Sequence, residues 1–237
     1  CMMLENCCYD FFEQLTLNMS RQGMLGEIVH AEGAYIHDLT KDWTFNKKAY
    51  ADMWRLKENI GHNGNLYPTH GPGPVAQCMN INRGDKFDHL VSMSTNDFTM
   101  NNMVKDLAAK DDFFKEYVDR PSGGNANTRD IRSKRSQKMM VQRDVSNLRA
   151  YRRIHLVTGT KGAAQKWPGP ERIAFGHSWI KKEELDELYK KYSTPVVNHI
   201  GSIAKEVGGH GGMDFIMDWR LIDCLRNGLP LDQDVYD

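Results

Sequence analysis

Between residues 67 and 74 the chain reads Tyr-Pro-Thr-His-Gly-Pro-Gly-Pro, three prolines and two glycines in eight positions. Proline lacks an amide donor and holds φ at about −65°, so a central strand or a helix interior cannot run through this stretch. It is expected to be a rigid turn. The pattern before it predicts one helix, one strand and a long weakly periodic stretch. The pattern after it predicts strands and then helices. Clean strand–helix–strand alternation is missing, so the expected fold class is α+β, with a mixed or antiparallel sheet.

The same turn answers the question of a nucleotide fold. The dinucleotide fingerprint needs GxGxxG between a strand and a helix. Gly71 and Gly73 supply its first two glycines, but Ala76 stands where the third belongs. Gly159–Gly162 reads GTKG, with neither the spacing nor the lysine position of a phosphate-binding loop. The chain is therefore expected to carry no dinucleotide-binding fold of its own.

Charge narrows the partners. The 31 Lys and Arg balance 31 Asp and Glu, which argues against nucleic acid as the main partner. The chain has 237 residues, 40% of them apolar, enough for a proper core. No apolar run approaches the roughly 20 residues that cross a bilayer. The first residue is Cys1 and the last stretch, Asp232–Asp237, reads without a helix cap. Both ends therefore look like cuts. Five cysteines, two adjacent and none in a CxxC pair, predict free, partly buried thiols.

The first helix is expected to start at Asp10, with Glu13 completing a capping box and Phe11, Leu15 and Met19 forming its apolar stripe. Gly23 would stop it. Glu27–Asp38 reads as a strand, with Tyr35 and His37 on one face and Ile36 opposite. A short helix is expected around Met53–Lys57, another over Val75–Ile81, and a third over Asn101–Ala109. Further strands are expected at Lys86–Met93, Lys138–Val145, Arg153–Thr158 and Arg172–Phe175, with a mobile polar loop from Arg120. Leu185, Leu188, Tyr189 and Tyr192 mark a helix. Pro195 opens another, running to about Val207. Gly208–Gly212 breaks the chain, and a last helix runs from Met213 to Asn227 with Phe215, Trp219 and Ile222 on one side.

Single residues carry limited chemistry. His70 sits in the rigid turn, which would hold a general acid–base firmly, although an exposed or capping histidine is the commoner outcome. His210 within GGHGG reads first as a flexible helix entry. His37 and Asp38, with Glu32, match no zinc spacing, so no metal is expected. The basic run Arg129–Lys138 lacks interleaved aromatics and reads as a solvated loop and strand edge. No carboxylate pair of the ordinary glycosidase kind is recognisable.

Several longer stretches together say more. They are MMLENCCYD at Met2–Asp10, RQGMLGEIVHAEGAYIHDL at Arg21–Leu39 and NGNLYPTHGPGP at Asn63–Pro74. Beyond these come RGDKFDHLVSMS at Arg83–Ser94, YRRIHLVTGTKG at Tyr151–Gly162 and GGHGGMDFIMDWRLIDCLRNGLPLDQDVYD at Gly208–Asp237. The set resembles the NAD-dependent glycoside hydrolases of family 109, α-N-acetylgalactosaminidase-type enzymes of the Gfo/Idh/MocA superfamily. The resemblance implies that residues 1–237 are a C-terminal substrate domain, truncated at both ends. The N-terminal dinucleotide-binding (Rossmann) domain would lie outside this chain. It also implies an open, mostly antiparallel sheet with helices packed on one face, and a homo-oligomer formed through that sheet. Members are often exported bacterial proteins; the compartment of this one is left open.

The resemblance assigns residues too. Asn6 and Tyr67 would contact the cofactor NAD. Tyr35, Arg55, Tyr151 and the turn Tyr67, Pro68, Thr69 and His70 would line the sugar site, with His70 as acid–base. The implied reaction is oxidation at C3 of a terminal α-linked N-acetylgalactosamine, elimination across C1 and C2, addition of water, and re-reduction. NAD-dependent glycosidases need no carboxylate pair. Pro72, Ala150 and Trp167 stand where members commonly have Leu, Pro and Tyr, and bear on sugar preference. A sugar oxidoreductase of the same superfamily and a non-catalytic sugar-binding module are the competing readings.

Overall fold

The computed structural model describes residues 1–120 and 124–234. The part of the expected polar loop at 121–123 and the chain end at 235–237 lie outside the described residues. A 3-10 turn, Asn6–Tyr9, leads into helix α1 (Phe11–Arg21) and strand β1 (Ile28–Ile36). Helices α2 (Trp54–Gly61) and α3 (Pro72–Cys78) follow, then strand β2 (Phe87–Ser94) and helix α4 (Met100–Ala108). Strands β3 (Ala126–Ser133), β4 (Lys138–Asp144), β5 (His155–Gly159), β6 (Ala163–Lys166) and β7 (Arg172–Ala174) come next. Helices α5 (Lys182–Tyr192), α6 (Pro195–Val207) and α7 (Met213–Asn227) close the chain.

Among the described residues the strands form one open sheet in the order β2-β3-β4-β1-β5-β6-β7. Only the central β1–β4 pair is parallel; each other neighbouring pair is antiparallel. The main core lies between the helices and one sheet face. Phe12, Leu15 and Met19 of α1, Val75 and Met79 around α3, and Ala31, Met139, Val141 and Val157 of the sheet are buried there. Each large side chain so buried contributes about 1.5–3 kcal/mol.

The α1 start differs from its reading. Asp10 holds the N-cap position, yet its side chain caps nothing. It is spent instead on Arg153 and Lys166. The stripe is also turned: Phe12 is buried with Leu15 and Met19, while Phe11 is only half-buried, with Lys205 over its ring. Helix α3 begins at Pro72, earlier than expected, because proline's missing N–H costs nothing in a first helical turn.

The sheet contains two strands that pattern reading missed. Ala126–Ser133, read as loop and solvated edge, is β3, paired on both sides by β2 and β4. Asp130 and Arg132 point outward, while Asn127, Ile131 and Ser133 are buried and Arg129 on their face donates to Asn65 O. The short β6 is held only by pairing with β5 and β7. Conversely, the alternation at Phe87, His89, Val91 and Met93 makes a strand without a buried face, since β2 lies at the sheet edge and is exposed throughout. On α7 the buried residues are Met213, Ile216 and Cys224, and Ile222 is exposed, so the expected stripe is displaced.

Candidate functional site

The rigid turn lies directly on the centre of the sheet. A Cβ on Gly33 of β1 would stand 2.1 Å from the carbonyl oxygen of Gly71, and one on Gly71 would stand 2.9 Å from the Ala34 nitrogen. Two glycines facing each other let the backbones touch. That contact carries His70 over Tyr35, ring centroids 4.9 Å apart and edge to face. Tyr67 packs on the same two rings, at 5.5 Å from Tyr35 and 4.7 Å from His70.

His70 is held from behind by Glu5. Its Nδ1 lies 2.8 Å from Glu5 Oε1, and the carboxylate is 3% exposed. Burial pushes the Glu5 carboxyl upward, but the hydrogen bond and charge of His70, helped by Thr69 and the Cys7 amide, outweigh it and hold it low. An ionised carboxylate only accepts, so Nδ1 must carry the proton. In the neutral imidazole Nε2 is then the acceptor nitrogen. This is the arrangement by which a carboxylate orients an imidazole.

From His70 an aromatic wall runs around a cavity of about 500 Å³. Tyr35 meets His37 at 5.8 Å, His37 meets Tyr151 at 4.9 Å, and Tyr151 meets Trp167 at 5.7 Å, each near perpendicular. The Tyr35 hydroxyl is 3.1 Å from His37 Nδ1. Burial raises the phenols of Tyr35 and Tyr151 above their usual range, and Tyr67 to about 12. They stay protonated and able to donate. Burial lowers His37, with Arg55 and His70 adding to it against Asp38.

The cavity floor is ionic. Arg153 and Asp10 line it with Met213 and His210. Arg153 pairs with Asp10 and lies 3.9 Å from Glu13; Lys166 lies 2.8 Å from Asp10, 3.4 Å from Glu13 and 3.4 Å from Glu171. Burial and the neighbouring Asp10 push the Glu13 carboxyl up. Beneath this cluster His155 is fully buried against Thr16 and Phe12. Burial depresses it to about 3, so it is neutral at ordinary pH.

The expected site residues divide among three places. Tyr35, His70 and Tyr151 line this cavity. Tyr67 and Arg55 line a second one, beyond the Tyr35–Tyr67 wall. Pro68 and Thr69 face a third, between α3 and the β2–β4 edge. Asn6 stands beside Glu5, its amide donating to Asp214 at 2.6 Å, while His210 meets Asp214 at 2.6 Å on the other side. The GGHGG break thus brings His210 to the cavity. Glu5, Arg143 and the Asp10–Arg153 pair were not singled out from sequence. Glu5 is 65 residues from His70 and has no local motif that marks it.

Glu5, Cys7 and His70 also place three metal-type donors within 4.8 Å of one another. Burial raises the Cys7 thiol well above its usual range. A ligating cysteine must be a thiolate, so a cation there would have to displace the Cys7 proton.

An open, mostly antiparallel sheet with helices and a histidine-centred cavity defines the class. Comparison with solved structures places the fold among the Gfo/Idh/MocA-type oxidoreductases. A levoglucosan dehydrogenase in complex with NADH matches 95% of this chain and 57% of its own, with a TM-score of 0.58 at 12% identity. An aldose-aldose oxidoreductase from Caulobacter crescentus, complexed with glycerol, matches 98% of this chain and 55% of its own, with a TM-score of 0.56 at 11% identity. The family model for the glycosyl hydrolase 109 C-terminal domain matches residues 9–237, and the chain belongs to that family. Glycosyl hydrolase family 109 protein 5 of Phocaeicola vulgatus is 42% identical over 257 residues, covering all of this chain and 48% of the relative. Protein 2 of the same organism is 44% identical, covering all of this chain and 58% of the relative, and protein 1 of Bacteroides fragilis is 42% identical. The chain thus spans about half the length of the curated relatives it matches.

Proposed function

We propose that this chain is the substrate domain of an NAD-dependent glycosidase that releases terminal α-linked N-acetylgalactosamine. The observation that carries the reading is the Glu5–His70 pair at the wall of a cavity sized for one sugar ring. A histidine whose Nδ1–H is tied to a buried carboxylate holds its Nε2 in a fixed direction, as positioned proton transfer requires.

The reaction is the oxidation, elimination, water addition and re-reduction scheme, in which bound NAD supplies a reversible hydride acceptor. Asn6 and Tyr67 would hold the edge of that group: Asn6 follows Glu5 in the chain, and Tyr67 packs on His70 with a protonated phenol able to donate. His70 Nε2 takes and returns the proton at C2 of the sugar. The phenols of Tyr35 and Tyr151 donate to sugar oxygens that gain charge. Arg55, in the adjoining cavity, offers a planar fork to a substituent of the sugar that reaches past the Tyr35–Tyr67 wall. The aromatic wall excludes water and stacks against apolar faces of the ring.

The test uses the intact enzyme, NAD and a nitrophenyl α-N-acetylgalactosaminide. Aglycone release without net NADH accumulation is expected. Steady NADH formation that tracks sugar consumption would make the protein an oxidoreductase instead. The isolated 237-residue chain is expected to give no turnover, because its own glycines form no phosphate-binding loop; turnover by it would overturn the domain assignment.

A further inference from the structure

The cavity beyond the Tyr35–Tyr67 wall has a different chemistry. It measures about 530 Å³ and is lined by Trp54, Arg55, Asn59, Tyr67 and Arg143, with Glu58 and His62 at its mouth. Arg143 is 2% exposed and Arg55 9%. Charged side chains that deep are normally paired. Arg143 instead donates to two neutral oxygens, Gly64 O at 3.1 Å and Asn59 Oδ1 at 3.0 Å, and its Nε has no partner. Neighbouring Asp144 points the other way. Its carboxylate accepts from Arg149 and from the Ser146 and Asn147 amides.

Arg55 is equally unmatched. Its guanidinium sits over the rings of Trp54 at 4.8 Å, Tyr50 at 5.0 Å and Tyr67 at 5.7 Å. Aromatic faces attract a cation and fix its plane, but they do not neutralise it. Its Nε is buried without a partner, and neither arginine forms an ion pair among the described residues. Glu58, the acidic group at the mouth, is about half exposed and bonded to His62 at 3.1 Å. Burial and the charges of Arg55 and Arg129 hold Arg143 down to about 10, so it remains a cation at neutral pH.

We propose that this second cavity is a subsite for an anionic substituent of the glycan, a carboxylate or a sulfate ester, held by the Arg143 and Arg55 guanidiniums. Planar guanidiniums match both oxyanions with paired hydrogen bonds. The two exposed faces of Trp54 and Trp43, linked through Tyr50, offer ring surfaces on which the sugar bearing that group can lie. The assignment rests on the reading that the adjoining His70 cavity takes a sugar. It adds that the preferred substrate is an acidic glycan.

Binding to the intact enzyme, measured by calorimetry at low salt, tests this independently of turnover. The probes are glucuronate against glucose, and N-acetylgalactosamine 6-sulfate against N-acetylgalactosamine. An acidic sugar is expected to bind about tenfold or more tightly than its neutral counterpart, the scale of one charge-assisted hydrogen bond, and to lose that advantage as salt rises. The glucuronate pair reports carboxylate recognition and the sulfate pair reports sulfate recognition. Arg143→Met is expected to abolish the preference. Glu58→Gln, at an exposed position, keeps the fold and is expected to strengthen anion binding about twofold or more, the effect of removing one screened charge. Equal affinity for acidic and neutral sugars in the unmodified enzyme overturns the proposal, whatever the fate of Arg143→Met. So does a preference that survives that substitution in a folded protein. A chain that fails to hydrolyse the nitrophenyl glycoside but binds acidic sugars preferentially would remove the proposed reaction and leave this subsite standing.

Discussion

Two cavities meet at the Tyr35–Tyr67 wall, and they treat charge in opposite ways. Around His70 the buried ions are matched: Glu5 with His70, and Asp10 and Glu13 with Arg153 and Lys166. Around Arg143 two guanidiniums meet only amide and carbonyl oxygens and aromatic faces. Matched buried charges hold geometry. Unmatched ones keep a free-energy cost that a ligand of opposite sign can relieve. On the two proposals above, the difference separates a region for proton transfer from one for an anion.

The comparison breaks most readily at Arg153. Arg153→Met leaves Asp10 and Glu13 facing Lys166 alone and should cost about 3–5 kcal/mol in urea unfolding. Arg143→Met leaves no buried carboxylate behind and should cost less, about 1–2 kcal/mol from the groups it strands. Equal costs would erase the distinction between the two regions.

His155, under the ionic floor, gives the next effect. Its folded pKa lies near 3 and its unfolded value near 6.5, so the unfolded chain binds more protons between them. The His155 contribution to stability therefore falls as pH drops through this window, by about 3 kcal/mol from pH 6.5 to 4, against an opposing gain from Glu13, whose raised carboxyl takes up a proton in the folded state. His155→Gln should flatten the slope relative to the unmodified protein. An unchanged slope would place the acid sensitivity elsewhere, in Glu5 for example, whose lowered pKa contributes stability that is lost on acidification below about 4.5.

In the intact enzyme His70→Ala should lower turnover about 100-fold, the usual scale of a lost acid–base group. Glu5→Gln should lower it about tenfold. Unchanged turnover in Glu5→Gln would reduce Glu5 to a structural prop.

Much of the frame was legible from local pattern. The bounds of α6 and α7 follow Pro195, the glycine break and the Gly228 stop, because caps and breakers act within a few residues. Strand β3 was not legible: Asp130 and Arg132 face outward, Arg129 interrupts the apolar face, and only its pairing with two neighbours makes it a strand. The Asp10–Glu13 spacing read as a capping box, but a capping box is worth about 1 kcal/mol and a buried Arg and Lys bind those carboxylates more strongly. At the site, Tyr35 and His70 stood out through the strand and turn that carry them. Glu5 and Arg143 did not, since nothing near them in sequence reveals what they will face.

Sequence alone thus determined the α+β class, the rigid turn that runs into α3 at Pro72, the failure of the dinucleotide fingerprint and, through long motifs, the family. Each of these rests on spacing along the chain. Tertiary structure decided which carboxylate stands behind His70, which charges are matched and which arginines are left facing an open cavity. Those depend on contacts between segments tens to hundreds of residues apart, where burial sets the strength of every charge and only the fold sets the distance.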